Sequence, residues 1–339
     1  MAKGNINYRY LRRRRKNWFL RNWKALLAWA VLITAVIALI TVIVFKVVEV
    51  VSDNSKEKDK TKKPDKDIVW IEDVEPENAA DKVNYTPPAD EEFPYFIKVN
   101  RAANCVTVYG IDDKKEYSIP VKAFVCSCGR PGEETIIGEN YTTTDKYVWR
   151  LMNDDTYGHY AFRINKGYLF HSVPYYTAHN NDLEAEEYNK LGSFASMGCV
   201  RMCVRDVKWI YDNCPAGTMV TIYDDADNPG PLGKPEAIKI PTDSEFSGWD
   251  PTDPNENNPW KAFNAEIKGA ADITTKVGEK VDLKANVTAT DTCGNDITHK
   301  IITIGRYTFD QEGQYDITYK VTDAMGSVAE VKVKLTVTK

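Results

Sequence analysis

The stretch that decides the fold is "LGSFASMGCVRMCVRDVKWIYDNCPAGTMVTIYDD", residues 191–225. Its central part predicts a helix, because apolar side chains recur at helical spacing, Asp206 favours the first turn and Pro215 stops the helix. The apolar stripe consists of Val204, Val207, Ile210, Tyr211 and Cys214. "TMVTIYDD" then predicts a strand. The same stretch leaves four interpretations of Cys199: a packed thiol, half of a disulfide, a metal ligand or a nucleophile.

Short alternating or apolar segments precede this stretch from Tyr95 onward, separated by Gly, Asn, Asp and Pro. They are "YFIKVNR", "CVTVYG", "YSIPVKAFVCS", "YAFRIN" and "GYLFHSV". Such segments are typical of mostly antiparallel β-structure. For residues 93–224 we therefore expect a β-sandwich or open barrel with one packed helix.

A second β-domain is predicted at the C-terminal end. Residues 225–262 are rich in Pro, Asp and Asn and predict a linker. Beyond it, "KVDLKANVTATD", "YDITYKVTD" and "AEVKVKLTVTK" alternate strictly, and "DTCGND" and "DAMGS" predict turns. Residues 263–339 are thus expected to form a small immunoglobulin-like β-sandwich.

The N-terminal residues predict a membrane anchor. Residues 1–24 carry nine Lys or Arg and no acidic residue, and residues 25–45 contain no charge. An uncharged run of that length spans a bilayer, and the basic flank keeps the N-terminus cytoplasmic. We therefore expect a single-pass transmembrane helix with the rest of the chain outside the membrane. A cleaved signal peptide and an RNA-binding basic arm are the weaker alternatives.

Two further features are the composition of the segment that follows the predicted membrane span and the net charge of the chain. Residues 46–92 mix Lys, Asp, Glu, Asn and Pro with few large apolar groups, which predicts an extracytoplasmic linker. The formal net charge is -5 although the first residues are strongly basic. The main body is therefore acidic, and this argues against nucleic acid as its partner.

Seven cysteines follow the predicted span, too few for a disulfide-dense scaffold, and their odd number leaves at least one unpaired. Cys126 and Cys128 face the same side of a predicted strand and are poorly placed to bridge each other. Cys203 and Cys214 lie about 16 Å apart along the predicted helix, too far for a disulfide. A zinc site drawing on Cys126, Cys128, Cys199 and Cys203 lacks a Cys-x-x-Cys pair. We predict no metal and no other cofactor.

Cys199 has the surroundings that a catalytic thiol needs: a base, amide donors for an oxyanion and a setting that favours thiolate. Gly198 lets the backbone approach a substrate, and the amides of Gly198 and Cys199 can point at an oxyanion near the positive end of the following helix. His299 belongs to the C-terminal sandwich. The other candidate bases are His159, His171 and His179. His171 ends the apolar strand segment "GYLF", where its position is rigidly fixed, so it is the predicted base.

Several separated segments resemble one family. "GYLFHSVPYY" and the stretch that begins "LGSFASMGCVR" look like the L,D-transpeptidase catalytic domain, called YkuD-like. The signature of that family is a histidine followed downstream by Ser/Thr-His-Gly-Cys, a small apolar residue and Arg or Asn. "VCSCGRPGEETIIGENYTT" is similar to an earlier segment of the family, in which two glycine-containing turns follow each other. The resemblance covers about residues 94–224, and the C-terminal part resembles a bacterial immunoglobulin-like domain.

The resemblance implies roles for individual residues. Cys199 matches the acylated nucleophile and His171 the base. Ser172 matches the position whose carbonyl or side chain steadies the imidazole. The residues expected to contact or shape the substrate site are Ser196, Gly198, Arg201 and Tyr157.

Two departures from the family pattern stand out. Met197 occupies the place of the motif histidine, so a supporting hydrogen bond is lost. The gap between His171 and Ser196 holds 24 residues, longer than usual, and is expected to form a lid or a wall of the acceptor site. Met197 is the one sequence feature that favours a catalytically inactive, wall-binding surface protein.

The resemblance also implies a reaction and its partners. The Cys199 thiolate would attack the carbonyl of the third residue of a peptidoglycan tetrapeptide stem, release D-Ala and form a thioester. An amine of a neighbouring stem would then complete a 3→3 cross-link, whereas water as acceptor would give L,D-carboxypeptidase activity. Carbapenems are expected to acylate the same thiol. The expected partners are thus peptidoglycan stem peptides and, through residues 25–45, the membrane.

Overall fold

The structure, a computed structural model, describes residues 68–75 and 85–339. The predicted basic segment 1–24, the predicted transmembrane helix 25–45 and most of the predicted linker 46–92 lie outside the described residues. Within the described part, no helix has the length and apolar character needed to cross a membrane.

Strands dominate the described residues. The strands are β1 (Ile71–Asp73), β2 (Tyr95–Asn100), β3 (Cys105–Gly110), β4 (Ile119–Val125), β5 (Gly138–Thr142), β6 (Lys146–Leu151), β7 (Tyr157–Asn165), β8 (Tyr168–Ser172), β9 (Val200–Met202), β10 (Met219–Tyr223), β11 (Glu266–Lys268), β12 (Ile273–Lys276), β13 (Thr288–Thr290), β14 (Ile302–Tyr307), β15 (Gly313–Thr322) and β16 (Val328–Thr338). The α-helices are α1 (Ala185–Tyr188) and α2 (Val204–Asn213), and single 3-10 turns lie at Pro259–Ala262 and Thr298–Lys300.

Two sheets and helix α2 build the part of the chain before residue 225. One sheet has the order β4-β3-β2-β10-β5 and the other β6-β7-β8-β9. β2 pairs with β10 and β8 with β9 in parallel, whereas the other neighbours are antiparallel. α2 packs on β7 and β8, and its Val207 and Ile210 are buried in a core shared by both sheets. The prediction of a mainly β fold with one packed helix is confirmed, and the short helix α1 is an addition.

The first turn of α2 is capped by residues far away in sequence. Cys203, at the N-cap position, makes no capping hydrogen bond with its side chain. The Asp250 carboxylate instead accepts the Val204 amide at 2.7 Å, and the Thr252 hydroxyl accepts the Arg205 amide at 3.0 Å. Two of the amides that a helix start leaves unpaired are thereby satisfied.

The stretch 225–262, predicted as a linker, contains little regular structure but contributes buried side chains. Ile238, Ile240 and Trp260 belong to a core cluster that also contains Val204 and, from the C-terminal part, Cys293. The Asp250 carboxyl is fully buried, and burial raises its pKa to about 6. These residues therefore join the parts of the chain that lie before and after them.

The C-terminal part contains a five-stranded sheet in the order β1-β14-β15-β16-β12, together with the pair β11-β13. Its own core includes Ile317, Tyr319 and Leu335. The expected strand "KVDLKANVTATD" is wrong over most of its length, because only Thr288–Thr290 is a strand. The Asp282 carboxylate accepts the Lys284 amide at 2.9 Å and starts a turn there instead.

Part of the predicted linker 46–92 is an edge strand of this C-terminal sheet. β1 pairs antiparallel with β14, with Ile71 opposite Tyr307. The Thr308 hydroxyl donates to the Val69 carbonyl at 2.7 Å, and Lys320 forms an ion pair with Glu75 at 2.5 Å. Residues 69–75 are therefore tied to the sheet by backbone and side-chain bonds.

Replacing Asp250 with Ala removes a buried acceptor and leaves the Val204 amide at the start of α2 unpaired. We expect the free energy of unfolding to fall by about 1–3 kcal/mol. Asp243→Ala, in the same stretch but exposed, is the matched control and should leave stability unchanged. Urea denaturation followed by tryptophan fluorescence measures both, and equal midpoints for the two variants would contradict the capping role of Asp250.

Candidate active site

A cleft of about 200 Å³ lies against β8 and the segment that leads into β9. His171, Cys199 and Arg201 all line it, and Met197 lines it beside Cys199. Its charged lining residues are Glu133, Arg150, Asp154, Arg163 and Arg201. The structure thus brings the predicted nucleophile, the predicted base and the motif arginine to one cleft.

The parallel pairing of β8 with β9 explains this grouping. Phe170 lies opposite Val200 and His171 opposite Arg201. Successive side chains of a strand point to opposite faces of the sheet. Phe170 and Val200 accordingly pack in the shared core, while His171 and Arg201 face the cleft.

The loop before β9 is ordered by Ser196, which is fully buried. Its hydroxyl donates to the Cys199 carbonyl at 2.6 Å and accepts the Gly198 amide at 3.1 Å. The Gly198 amide is therefore engaged within the loop, and its expected use as an oxyanion donor does not fit this arrangement. Ser196 acts on the site by shaping the loop that carries Cys199.

Gly198 is required by both its backbone conformation and its surroundings. Its φ is +110°, a region that residues with a side chain rarely adopt. A Cβ atom at this position would lie 2.9 Å from Cε1 of Tyr168. A glycine therefore permits the tight approach of the Cys199 loop to β8.

The Cys199 thiol is protonated in the resting site. Burial raises its pKa, while the backbone of Leu169 and the positive charge of Arg201 act in the opposite direction. Cys199 Sγ lies 3.6 Å from the Gly167 carbonyl oxygen, to which the thiol donates. A base is therefore needed before this thiol can act as a nucleophile.

His171 is held in the neutral form that a base requires. Burial and the positive charge of Arg201 lower its pKa to about 3, and the backbone of Ser172 and the Asp154 carboxylate oppose them only in part. Its Nδ1 atom is buried without a hydrogen-bond partner among the described residues. A Cβ atom on Gly158 would lie 2.9 Å from that Nδ1, so the glycine provides the space for the imidazole.

The other two candidate bases lie elsewhere. His159 is stacked between Trp149 and Tyr160, with ring centroids 4.0 Å and 3.9 Å away, and burial lowers its pKa to about 4. His179 is exposed and does not line the cleft. Of the three histidines, His171 alone lines the cleft that contains Cys199.

Two predicted site residues have their side chains outside the cleft. The Ser172 hydroxyl donates to the Val173 carbonyl at 2.7 Å and accepts the His159 amide at 2.9 Å. The backbone of Ser172, and not its hydroxyl, acts on His171, which agrees with the carbonyl alternative of the prediction and not with the side-chain alternative. Tyr157 pairs with Tyr175 through its backbone and packs against a neighbouring core, and its side chain does not line the cleft.

Arg201 meets the long insertion between His171 and Ser196. Its Nη1 lies 2.7 Å from Glu187 Oε2, while its Nη2 lies 4.0 Å from Asp154 Oδ2. Tyr188 of the insertion is fully buried, and Asn189 exchanges hydrogen bonds of 2.8 and 2.9 Å with the backbone of Ile240. Of the two expected roles, this anchored segment fits a fixed wall better than a lid.

All seven cysteines are unpaired. Cys126 and Cys128 lie in the core with their sulfur atoms 3.9 Å apart, whereas Cys203 belongs to a different buried cluster. The four cysteines considered as zinc ligands are therefore divided between the core of Cys126 and Cys128, the buried cluster of Cys203 and the cleft of Cys199. In residues 68–75 and 85–339, no group of three or more His, Cys, Asp or Glu side chains is arranged to hold a metal ion.

Sequence reasoning missed Glu133, Asp154, Gly158 and Glu187. Asp154 lies in the turn-forming segment "NDDT", a signal that marks a loop but not its place in the cleft. Gly158 has no pattern of its own, because the need for a glycine arises only when β7 packs on His171. Glu187 lies on a one-turn helix too short to predict.

Comparison with protein families agrees with the two β-domains. Residues 94–222 match YkuD, described as the L,D-transpeptidase catalytic domain, and residues 265–337 match the Ig-like domain of bacterial surface proteins. YciB of Bacillus subtilis (strain 168), whose name describes it as a candidate L,D-transpeptidase, is 31% identical over 113 residues. That match covers 33% of this chain and 50% of the relative, so the chain spans about half the length of this curated relative.

Solved structures that resemble the chain include an L,D-transpeptidase from Mycobacterium smegmatis. It is 17% identical, with 38% of this chain and 58% of that chain covered and a TM-score of 0.31. An L,D-transpeptidase solved in complex with imipenem is 19% identical, with 38% and 59% covered and a TM-score of 0.31. The two family matches support an L,D-transpeptidase catalytic domain followed by a bacterial Ig-like domain.

The low pKa of His171 makes stability depend on pH. Between about pH 6.5 and pH 3 the unfolded chain binds a proton at His171 that the folded chain does not, so stability falls as the pH falls. We expect the loss of unfolding free energy between pH 7 and pH 5 to be about 2 kcal/mol smaller in His171→Gln than in the wild type.

Urea denaturation of both proteins at the two pH values measures this difference. Other titrating groups contribute to both proteins and cancel in the comparison. His299→Gln, at an exposed position of the C-terminal part, serves as the control and should keep the wild-type dependence. An identical loss of stability in the wild type and His171→Gln would show that folding does not lower the pKa of His171.

Proposed function

We propose that this chain is a membrane-anchored peptidoglycan L,D-transpeptidase that forms 3→3 cross-links through a thioester on Cys199. The observation that carries the proposal is the shared cleft of Cys199, His171 and Arg201, inside the segment that matches the catalytic domain. The anchor is residues 25–45, which would leave the catalytic domain on the outer side of the membrane.

The first half-reaction forms the thioester. His171 accepts the thiol proton, and the Cys199 sulfur attacks the carbonyl carbon of the third stem residue. The bond from that carbon to the nitrogen of the terminal D-Ala then breaks. The imidazolium returns its proton to the leaving nitrogen. His171 is then neutral again, and D-Ala leaves with a free amino group.

The second half-reaction resolves the thioester. An amine on the third residue of a neighbouring stem attacks the same carbonyl carbon and gives a proton to His171. The carbon–sulfur bond breaks, the cross-linking amide remains, and the proton passes to the Cys199 sulfur. Attack by water in place of the amine would give L,D-carboxypeptidase trimming of tetrapeptide stems, which is the alternative activity of the same site.

His171 and Cys199 are both neutral before a substrate binds. The low pKa keeps the imidazole uncharged across the physiological range but also makes it a weak base, so transfer of the thiol proton to His171 requires stabilisation of the thiolate. The positive charge of Arg201 lies close enough to favour the thiolate as it forms. The cleft therefore provides a base and a charge that stabilises the anion.

A catalytically inactive, wall-binding surface protein is the competing function. It is favoured by Met197, which lines the cleft in the place of the motif histidine and is 47% exposed. The presence of His171 in the cleft of Cys199 does not depend on Met197, because the strand β8 fixes the position of His171. Retention of this pair favours the enzyme over the binding protein.

Acylation by a carbapenem tests whether the thiol is active. We expect the full chain, purified in detergent and mixed with imipenem, to gain the mass of one drug molecule on the peptide that contains Cys199. His171→Gln should slow single-turnover acylation by about 10²-fold or more, as expected for loss of a general base. Intact-mass and peptide mass spectrometry measure both.

Cys199→Ala is the control and should take up no drug, while it retains the wild-type unfolding midpoint. A wild-type chain without an adduct would favour the wall-binding protein. An adduct that persists in Cys199→Ala would assign the reactive thiol to another cysteine.

A further inference from the structure

The long insertion supplies the ionic partner of the arginine in the cleft. Glu187 of α1 lies 2.7 Å from Nη1 of Arg201, and the other oxygen of its carboxylate lies 2.5 Å from Lys190 Nζ. Arg201 is 6% exposed, so its charge is almost completely removed from water. A buried charge of this kind requires a close partner of opposite sign.

The remaining contacts of the Arg201 guanidinium are weaker. Nη1 also donates to the Ala195 carbonyl at 3.3 Å, and Nη2 is 4.0 Å from the Asp154 carboxylate. Arg201 Nε is buried without a hydrogen-bond partner among the described residues. Glu187 is therefore the one carboxylate at short hydrogen-bonding distance from Arg201 within the described part of the chain.

Glu187 is itself held in place by the packing of the insertion. The next residue, Tyr188, is fully buried, and its hydroxyl donates to Asp250 at 3.3 Å. The side-chain NH2 group of Asn189 donates to the Ile240 carbonyl, and the side-chain oxygen of Asn189 accepts the Ile240 backbone amide. A carboxylate between such anchors has a fixed position from which to orient a neighbouring guanidinium.

We propose that Glu187 is a positioning residue of the reaction: it holds the Arg201 guanidinium against the cleft and thereby sets the electrostatic field at Cys199. This inference rests on the proposed function and goes beyond it, because it makes the insertion part of the active site. Glu187 acts only through Arg201 and contacts neither Cys199 nor the substrate.

The expected consequence follows from the charges that surround Arg201 and Cys199. The charged and titratable groups are Glu133, Arg150, Asp154, Arg163, His171, Glu184, Glu187 and Lys190. Arg201 lowers the pKa of Cys199, whereas Asp154 raises it. Loss of the Glu187 charge removes the anchor of the guanidinium, so Arg201 leaves its position at the cleft and stabilises the Cys199 thiolate less.

Two readouts on the full chain test this proposal. The first is the rate at which iodoacetamide alkylates Cys199 as a function of pH, followed on the Cys199 peptide by mass spectrometry. The second is single-turnover acylation by imipenem. Glu187→Gln should raise the midpoint of the alkylation profile by about half a pH unit or more and slow acylation about tenfold, and Glu187→Asp should restore most of the acylation rate.

Glu186→Gln is the matched control, because Glu186 is the preceding residue of the same helix and is exposed. It should change neither readout. An unchanged alkylation midpoint in Glu187→Gln, or equal effects in Glu186→Gln, overturns the proposal. A wild-type chain that imipenem does not acylate would instead overturn the proposed function, since the alkylation profile tests the coupling of Glu187 to Cys199 without any enzymatic reaction.

Discussion

The site depends on the pairing of the three-residue strand β9 with its two neighbours. On one side β8 runs parallel to it and sets His171 opposite Arg201. On the other side Ser127 exchanges two backbone hydrogen bonds with Arg201, at 2.8 and 2.9 Å. A register shift of one residue would turn Arg201 into the core and Val200 into the cleft. Cys199 lies one residue before β9, so the backbone hydrogen bonds that fix β9 also fix the position of Cys199.

Burial then determines the charge state of the groups that this pairing brings together. It lowers the pKa of His171 and raises that of Cys199, so a neutral imidazole and a neutral thiol line the same cleft. The Arg201 guanidinium lies in the same environment, where it forms an ion pair with Glu187. The cleft combines an uncharged catalytic pair with one paired cation, an arrangement that favours negative charge developing on sulfur during attack.

The sequence predicted those elements whose pattern is local. Helix α2 follows from its apolar spacing and Pro215, and β3 coincides with the segment "CVTVYG". His171 was identified because it ends an apolar strand and Cys199 because of its motif. The strand predicted from alternating residues is wrong at residues 280–287, because the side chain of Asp282 stabilises a turn there and competes with strand formation.

Features that depend on contacts between distant segments could not be predicted. The cap of α2 comes from Asp250, 46 residues away, in a stretch whose composition indicates only a linker. The pairing of Glu187 with Arg201 requires the fold of the insertion, and the space for His171 requires a glycine on a neighbouring strand. Ser172 was assigned by its place beside His171, but strand alternation directs its hydroxyl to the opposite face.

The most direct test of the proposed activity uses defined muropeptides that carry tetrapeptide stems, incubated with the full chain in detergent and analysed by mass spectrometry. The account predicts release of D-Ala together with a dimer joined between the third residues of two stems, and loss of both products in Cys199→Ala. D-Ala release without a dimer would assign the site to trimming rather than cross-linking. Absence of D-Ala release from every stem, or equal release by Cys199→Ala, would contradict a Cys199 thioester mechanism.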